Sequence, residues 1–320
     1  MPRRTMTFGR ITVKESRITD SEFELDDIQG LDLLEEFSSW ASGLPIDHFK
    51  DLARQRYGTK PTVDRYSRFT LLSMRTGHFG TAGDLVIDVS SHGTSYETLQ
   101  NDSSTVETRC GLLVPPNSKI GLFFMEHQGH NACGSRIFSS FEAHLKDKAG
   151  RTLVGRKGNP LKLVIDKQTL VSGSAWLERA SLEKVSVMKY EKPIDVSDSP
   201  VSVPLTYSRT LLPPKGVRWL PKWMKDILFD TSISGSSQIG FPTDEEFDEI
   251  VATLSDGEQT KTMVIGKEKS PAIRKLLNDD GQPALDAQML IHSFDQDAQE
   301  YYSSQELDWS YKWTRTTDGQ

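Results

Sequence analysis

Two cysteines, Cys110 and Cys133, are all that this chain of 320 residues contains. Disulfides therefore cannot be its framework, and a packed core has to hold the fold. Long hydrophobic runs are missing too. No segment approaches the roughly 18–20 apolar residues of a membrane-crossing helix. The basic start Met1-Pro2-Arg3-Arg4-Thr5 is not followed by the apolar stretch of a signal peptide. A soluble cytoplasmic protein is the expectation. Internal repeats and low-complexity tracts are absent. A uniform excess of positive charge is absent as well: the net charge is −7, which argues against a uniformly basic nucleic-acid binder.

Familiar ligand motifs are also missing. The glycines Gly77, Gly80 and Gly83 are too scattered for a P-loop, and the next segment, Asp84 to Val89, reads as a strand. A dinucleotide fingerprint needs its glycines to open a helix, so this turn is read as a hairpin connection. The paired CxxC and HxxxH arms of zinc modules do not occur.

What is there suffices for a core: 36% of residues are hydrophobic and 26% charged. The length suggests two domains or one elaborated domain. The most ordered signal lies between Lys119 and Lys146. The run Ile120-Gly121-Leu122-Phe123-Phe124-Met125 fits a strand over 119–125 that is buried on both faces. Glu126-His127-Gln128-Gly129-His130-Asn131-Ala132-Cys133-Gly134 then reads as an irregular loop. Ile137, Phe138, Phe141 and Leu145 share one face of a helix over 135–147, with Ser135 as its N-cap.

That loop places polar chemistry at the end of a buried strand. His127, His130 and Cys133 are spaced three apart, and Cys110 would complete a Cys2His2 set for a divalent metal. The alternative is a polar loop whose histidines bond to backbone or water. A second constellation joins Asp84 and Asp88 to Glu126, His127 and His130, as in a metal-dependent nuclease or hydrolase. The Glu-x-Lys such nucleases carry on the second strand is absent, because His127-Gln128 follows Glu126. The candidate catalytic residues are Asp88, Glu126, His127 and His130.

Along the rest of the chain, residues 6–15 read as a first strand, and Leu33, Leu34, Phe37, Trp40 and Ala41 as a helical stripe. Asp47 to Tyr57 is read as a short helix, and Gly93 to Arg109 as a long polar loop. Val185 to Tyr190 and Val201 to Leu205 alternate like an antiparallel pair. Ser255-Asp256-Gly257 marks a hairpin over 246–266. Ser270-Pro271 opens an expected helix carrying Ile273, Leu276 and Leu277, and a longer amphipathic segment holds Leu290, Phe294 and Tyr301. Asp295, Asp297 and Glu300 beside it read as a solvated acidic face. Trp309 to Trp313 reads as an edge strand. The expected fold is α+β, with mixed or antiparallel sheets and flanking helices. It divides into an α/β domain over 1–170 and a β-rich domain over 171–320 with the hairpin and terminal helices.

Charge is distributed unevenly. Lys146 to Lys167 carries seven basic residues against two acids, and Arg209 to Lys225 carries five with no acid. From Phe241 onward, 17 acids face 7 bases. In the second basic stretch Arg209, Lys215, Arg218, Lys222 and Lys225 interleave with Trp219 and Trp223. Aromatics among cations suit base stacking with phosphate contact, or a lipid surface. The plainer reading makes the tryptophans a domain anchor with cations snorkelling outward.

The order of parts over residues 66–146 resembles uncharacterised proteins of bacterial phage-defence loci, of the KwaB-like type. The resemblance rests on the glycine-spaced turn, the strands Asp84–Val89 and Gly121–Met125, and the glycine loop and helix that follow. It implies bacterial origin, self-association and DNA contact, and it carries over no catalytic residue. Three functions are weighed. The first is a non-enzymatic component of a bacterial complex that binds nucleic acid, or a protein partner through its acidic C-terminal part. The second is a metal-dependent nuclease or hydrolase at the Glu126–His130 loop. The third is a structural module that assembles into a homo-oligomer.

Overall fold

Why the run from Gly121 to Met125 is apolar at every position is plain in the computed structural model. Successive strand residues point to opposite faces, and here both faces are covered. Phe123 lies 5.1 Å, ring to ring, from Phe138, while Phe124 lies 5.2 Å from Phe294. The structure describes residues 4–18, 21–80, 85–87, 90, 94–129, 131–169, 177, 179–191, 205–229, 249–257, 260–266, 271–278 and 282–315.

The fold is α+β, built of antiparallel strand pairs with flanking helices, and it divides into two compact units. The first comprises Met1–Gln168, Asn278–Asp295 and Ser310–Gln320; the second comprises Thr169–Leu277 and Gln296–Trp309.

In the first unit, β1 (Arg4–Glu15) and α1 (Leu33–Gly43) are followed by short β2 (Arg56–Gly58) and β3 (Thr62–Arg65), then long β4 (Phe69–His78). After them come β5 (Leu85–Ile87), β6 (Thr94–Glu97), β7 (Ser104–Leu113), β8 (Gly121–Gln128), α2 (Gly134–Thr152) and β9 (Leu163–Thr169). The sheet runs β1-β8-β7-β4, with β2 and β3 both on β4 and β9 on β1; β5 and β6 form a separate ribbon. One face buries α1 through Leu34, Phe37 and Ala41, and α2 through Ile137, Phe141 and Leu145. Asp32 starts α1 by accepting hydrogen bonds from the N–H groups of Leu34 and Glu35. Against the opposite face sits Phe294, with Phe8 and Phe69 at 5.8 and 5.5 Å.

In the second unit, β10 (Ser181–Glu191), β11 (Leu205–Leu211), α3 (Lys222–Phe229), β12 (Glu249–Ser255), β13 (Thr260–Gly266) and β14 (Pro271–Asn278) succeed one another. Their order is β11-β10-β12-β13-β14. Val185, Val187, Ala252 and Leu254 face Met224 and Leu228 of α3. The Asp-Gly turn joins β12 to β13 as expected, with Gly257 at φ +98°. The strand expected near 201–205 runs from Leu205 to Leu211 against β10, and Val201 and Val203 lie outside the described residues. A fourth helix, α4 (Ala287–Ser304), spans the expected amphipathic segment.

Several local expectations are corrected. The stretch from Asp47 forms tight turns leading into β2, and only α1 is helical there. The polar stretch before Arg109 is β6 and the first half of β7, because its β-branched Thr105, Val106 and Thr108 pair with β4. Pro271–Asn278 is a strand: its apolar spacing suits a helix, but pairing with β13 decides. The tail forms a 3-10 turn at Tyr311–Thr314, not an edge strand. α2 starts at Gly134, with Cys133 at the cap position and no side-chain cap.

Candidate functional site

β8 continues to Gln128, so Glu126 and His127 are strand residues and not part of a loop. As neighbours on a strand they point to opposite faces. The Glu126 side chain is fully buried and held by two guanidiniums. Arg109 donates through Nε to Oε2 at 2.8 Å and through Nη2 to Oε1 at 2.9 Å, and its backbone N–H also reaches Oε2. Arg4 Nη1 donates to Oε1 at 2.8 Å. Arg109 also donates to the Leu285 carbonyl, and Arg4 to that of Glu107. A carboxylate so occupied is a structural ion, not an open ligand. His127, on the other face, shares a hydrogen bond between its Nε2 and Thr7 Oγ1 at 2.8 Å.

Both cysteines are buried to zero exposure. Cys133 donates its thiol to the Thr108 carbonyl at 3.1 Å, and its N–H to Thr108 Oγ1. Burial pushes the Cys110 thiol well above the ordinary range, and the Cys133 thiol beside it adds to this. Metal ligation needs thiolates, which this setting disfavours. Asp84, Asp88 and His130 lie outside the described residues. Among the described residues, no group of three or more His, Cys, Asp or Glu side chains is placed to hold a metal ion.

The acids of α4 depart from the expected solvated face. Asp295 and Asp297 are buried, the first paired with Arg315 at 2.8 Å and the second with Lys275 at 3.2 Å. Burial raises the Asp295 carboxyl above its usual range, against the opposing pull of Thr314 and Arg315.

The basic and aromatic stretch leads from β11 into α3. Arg209 is exposed on β11, which ends the strand order of its unit. A turn closed by the Val217 N–H on the Pro214 carbonyl, with Gly216 at φ +88°, brings out Lys215 and Val217. Arg218 stacks over the Trp219 ring, its guanidinium carbon 4.6 Å from the centroid. Leu220 pins the segment down, its N–H bonded to the Leu182 carbonyl and its side chain in the core. On α3, Met224 and Leu228 face inward, while Lys222 is exposed and Trp223 is 51% exposed. Lys225 differs from the other cations. It is buried, and its ammonium donates to the Leu177 and Ala180 carbonyls at 2.8 and 2.7 Å. It is therefore not part of the exposed surface.

Sequence reasoning missed a groove between α1 and α2. Ser39, Trp40, Gly43, Leu44, His48, Ser140, Ala143 and His144 line about 530 Å³ of it. The four-residue spacing of Arg136, Ser140, His144 and Lys148 was the available signal, since such residues share a helix face.

No family model, no curated protein and no solved structure matches this chain.

Proposed function

We propose that the chain binds single-stranded nucleic acid without base specificity, through the face formed by Arg209, Lys215, Arg218, Trp219, Lys222 and Trp223. One observation carries the reading: α3 turns Met224 and Leu228 inward and leaves the Trp223 indole half in water, four positions after a Trp219 whose ring is capped by the Arg218 guanidinium. An exposed indole is a stacking platform for any base, worth about 1–3 kcal/mol per stacked base. The four exposed cations supply phosphate contacts, and Arg218 is already oriented by its stack.

Fluorescence anisotropy with a labelled oligothymidylate tests this. Binding should weaken with salt, with a log–log slope of about −2 to −3, as expected for three or four phosphate contacts on a single strand. The triple variant Arg218→Glu, Lys222→Glu, Trp223→Ala should bind at least about tenfold more weakly, a loss of about 1.4 kcal/mol or more. Salt-independent binding, or none at low ionic strength, would overturn the reading.

A further inference from the structure

The groove between α1 and α2 combines an apolar floor with hydrogen-bonding side chains, and among the described residues no carboxylate lines it. Trp40 and Leu44 form the floor. His48 stands edge-on to the Trp40 ring at 6.3 Å, and His144 lies tilted at 6.2 Å from the same ring. Two imidazoles therefore flank one indole.

Each imidazole is positioned through its Nε2 atom. His48 Nε2 shares a 2.8 Å hydrogen bond with Ser140 Oγ, and His144 Nε2 shares one of 2.6 Å with Glu36 Oε1. The Ser140 hydroxyl is unusual for a helix. Ser38, Ser42 and Thr152 return theirs to the carbonyl four residues back, whereas Ser140 turns toward His48. The segment carrying His48 is anchored from below. Arg136, one turn before Ser140, donates to the Phe49 and Tyr57 carbonyls and lies 5.6 Å from the Phe49 ring centroid.

The charges around the groove favour an anion. Glu36 is bonded to Lys148 as well as to His144. Burial raises the Glu36 carboxyl, but Lys148 and His144 outweigh it and hold it below its ordinary range. The Lys148 ammonium already neutralises that carboxylate. A proton on either imidazole therefore adds positive charge at the groove wall, where none of the described lining residues is a carboxylate.

We propose that this groove binds a small organic anion, with a carboxylate or phosphate head held by His48, Ser140 and His144 and a planar apolar body against Trp40 and Leu44. The volume is within the range of small-molecule sites. The site lies wholly in the first unit and is independent of the nucleic-acid reading.

The test uses the full chain and calorimetric titration at about pH 6, on the acid side of the ordinary range for a free imidazole. The probes are indole-3-acetate, its uncharged amide, and phenyl phosphate. The acid should bind with Kd of about 0.05–1 mM, the range expected for a ligand of its size. It should bind at least about tenfold more tightly than the amide. Phenyl phosphate binding more tightly than the acid would assign the head as phosphate, and the reverse as carboxylate. Ser140→Ala and His48→Gln should each weaken the acid several-fold and leave the amide unchanged. Equal affinity for acid and amide, or no heat with either anion, would overturn the proposal. That comparison uses the wild-type protein and does not depend on a variant folding. A purely structural latch between α1 and α2 would not discriminate acid from amide.

Discussion

Arg109 grips Glu126 with two parallel hydrogen bonds inside the first unit, and Arg4 closes on the same carboxylate from the neighbouring strand. Glu126→Gln keeps the shape but leaves two guanidiniums without a counter-charge. It should cost about 3 kcal/mol of stability, the low end for breaking a buried pair. Arg4 keeps partial contact with water, which softens the loss. Chemical denaturation measures it. Replacing Glu126, Arg109 and Arg4 together with apolar residues should recover most of the loss, because no charge is then left unpaired.

Lys225 and Trp223 sit two residues apart on α3 and should behave oppositely. Lys225→Met strands two carbonyls and should destabilise by about 1–3 kcal/mol, while oligonucleotide affinity stays within about twofold. Trp223→Ala should change stability by less than about 0.5 kcal/mol, as exposed positions usually do, and weaken binding. Thermal melts beside anisotropy on both variants separate the two roles.

Glu36 predicts an acid limb in stability. Its folded carboxyl titrates below its unfolded value, because Lys148 and His144 outweigh burial. Its contribution is therefore fully present above the ordinary carboxylate range and is lost as pH falls through the depressed folded value. Glu36→Gln should be less stable than wild type at neutral pH, by less than about 1 kcal/mol after solvent screening. The two proteins should converge in strong acid. Urea melts across the pH range check this, and a gap that widens toward acid would contradict it.

Gly111 lies where a Cβ would stand 2.5 Å from the Phe69 ring and 2.6 Å from Phe124. Gly111→Ala should cost about 1–3 kcal/mol by overpacking. A thermal melt reads the loss, and Phe69→Leu should relieve part of it.

Neither thiol should react in the folded protein. Cys110 and Cys133 are both fully buried, and the Cys110 thiol is pushed up by that burial. An aromatic disulfide reagent should titrate no thiol under native conditions and two after denaturation.

Much of the framework was legible because period alone carries it. Leu33, Leu34, Phe37, Trp40 and Ala41 recur at helical spacing, and each is buried on α1. The unbroken run in β8 announced a strand covered on both sides. Asp256-Gly257 announced a hairpin, since the turn needs a residue at positive φ. Local chemistry of this kind needs no distant partner.

The rest depended on distant partners. Ile273, Leu276 and Leu277 spell a helix face, yet pairing with β13 makes them strand residues. Glu126 reads as a free carboxylate, yet Arg109 lies 17 positions away and Arg4 lies 122 away. Lys225 reads as a surface cation, yet carbonyls 45 and 48 residues earlier enclose it. The groove joins His48 to a serine 92 positions on. What could be read locally were the strongly patterned pieces, the α1 stripe, the β8 run and the turn after β12, because backbone geometry and solvent act residue by residue. Packing between segments far apart in the chain settled the rest: that Pro271–Asn278 pairs as a strand, and which charges are neutralised inside and which stay at the surface.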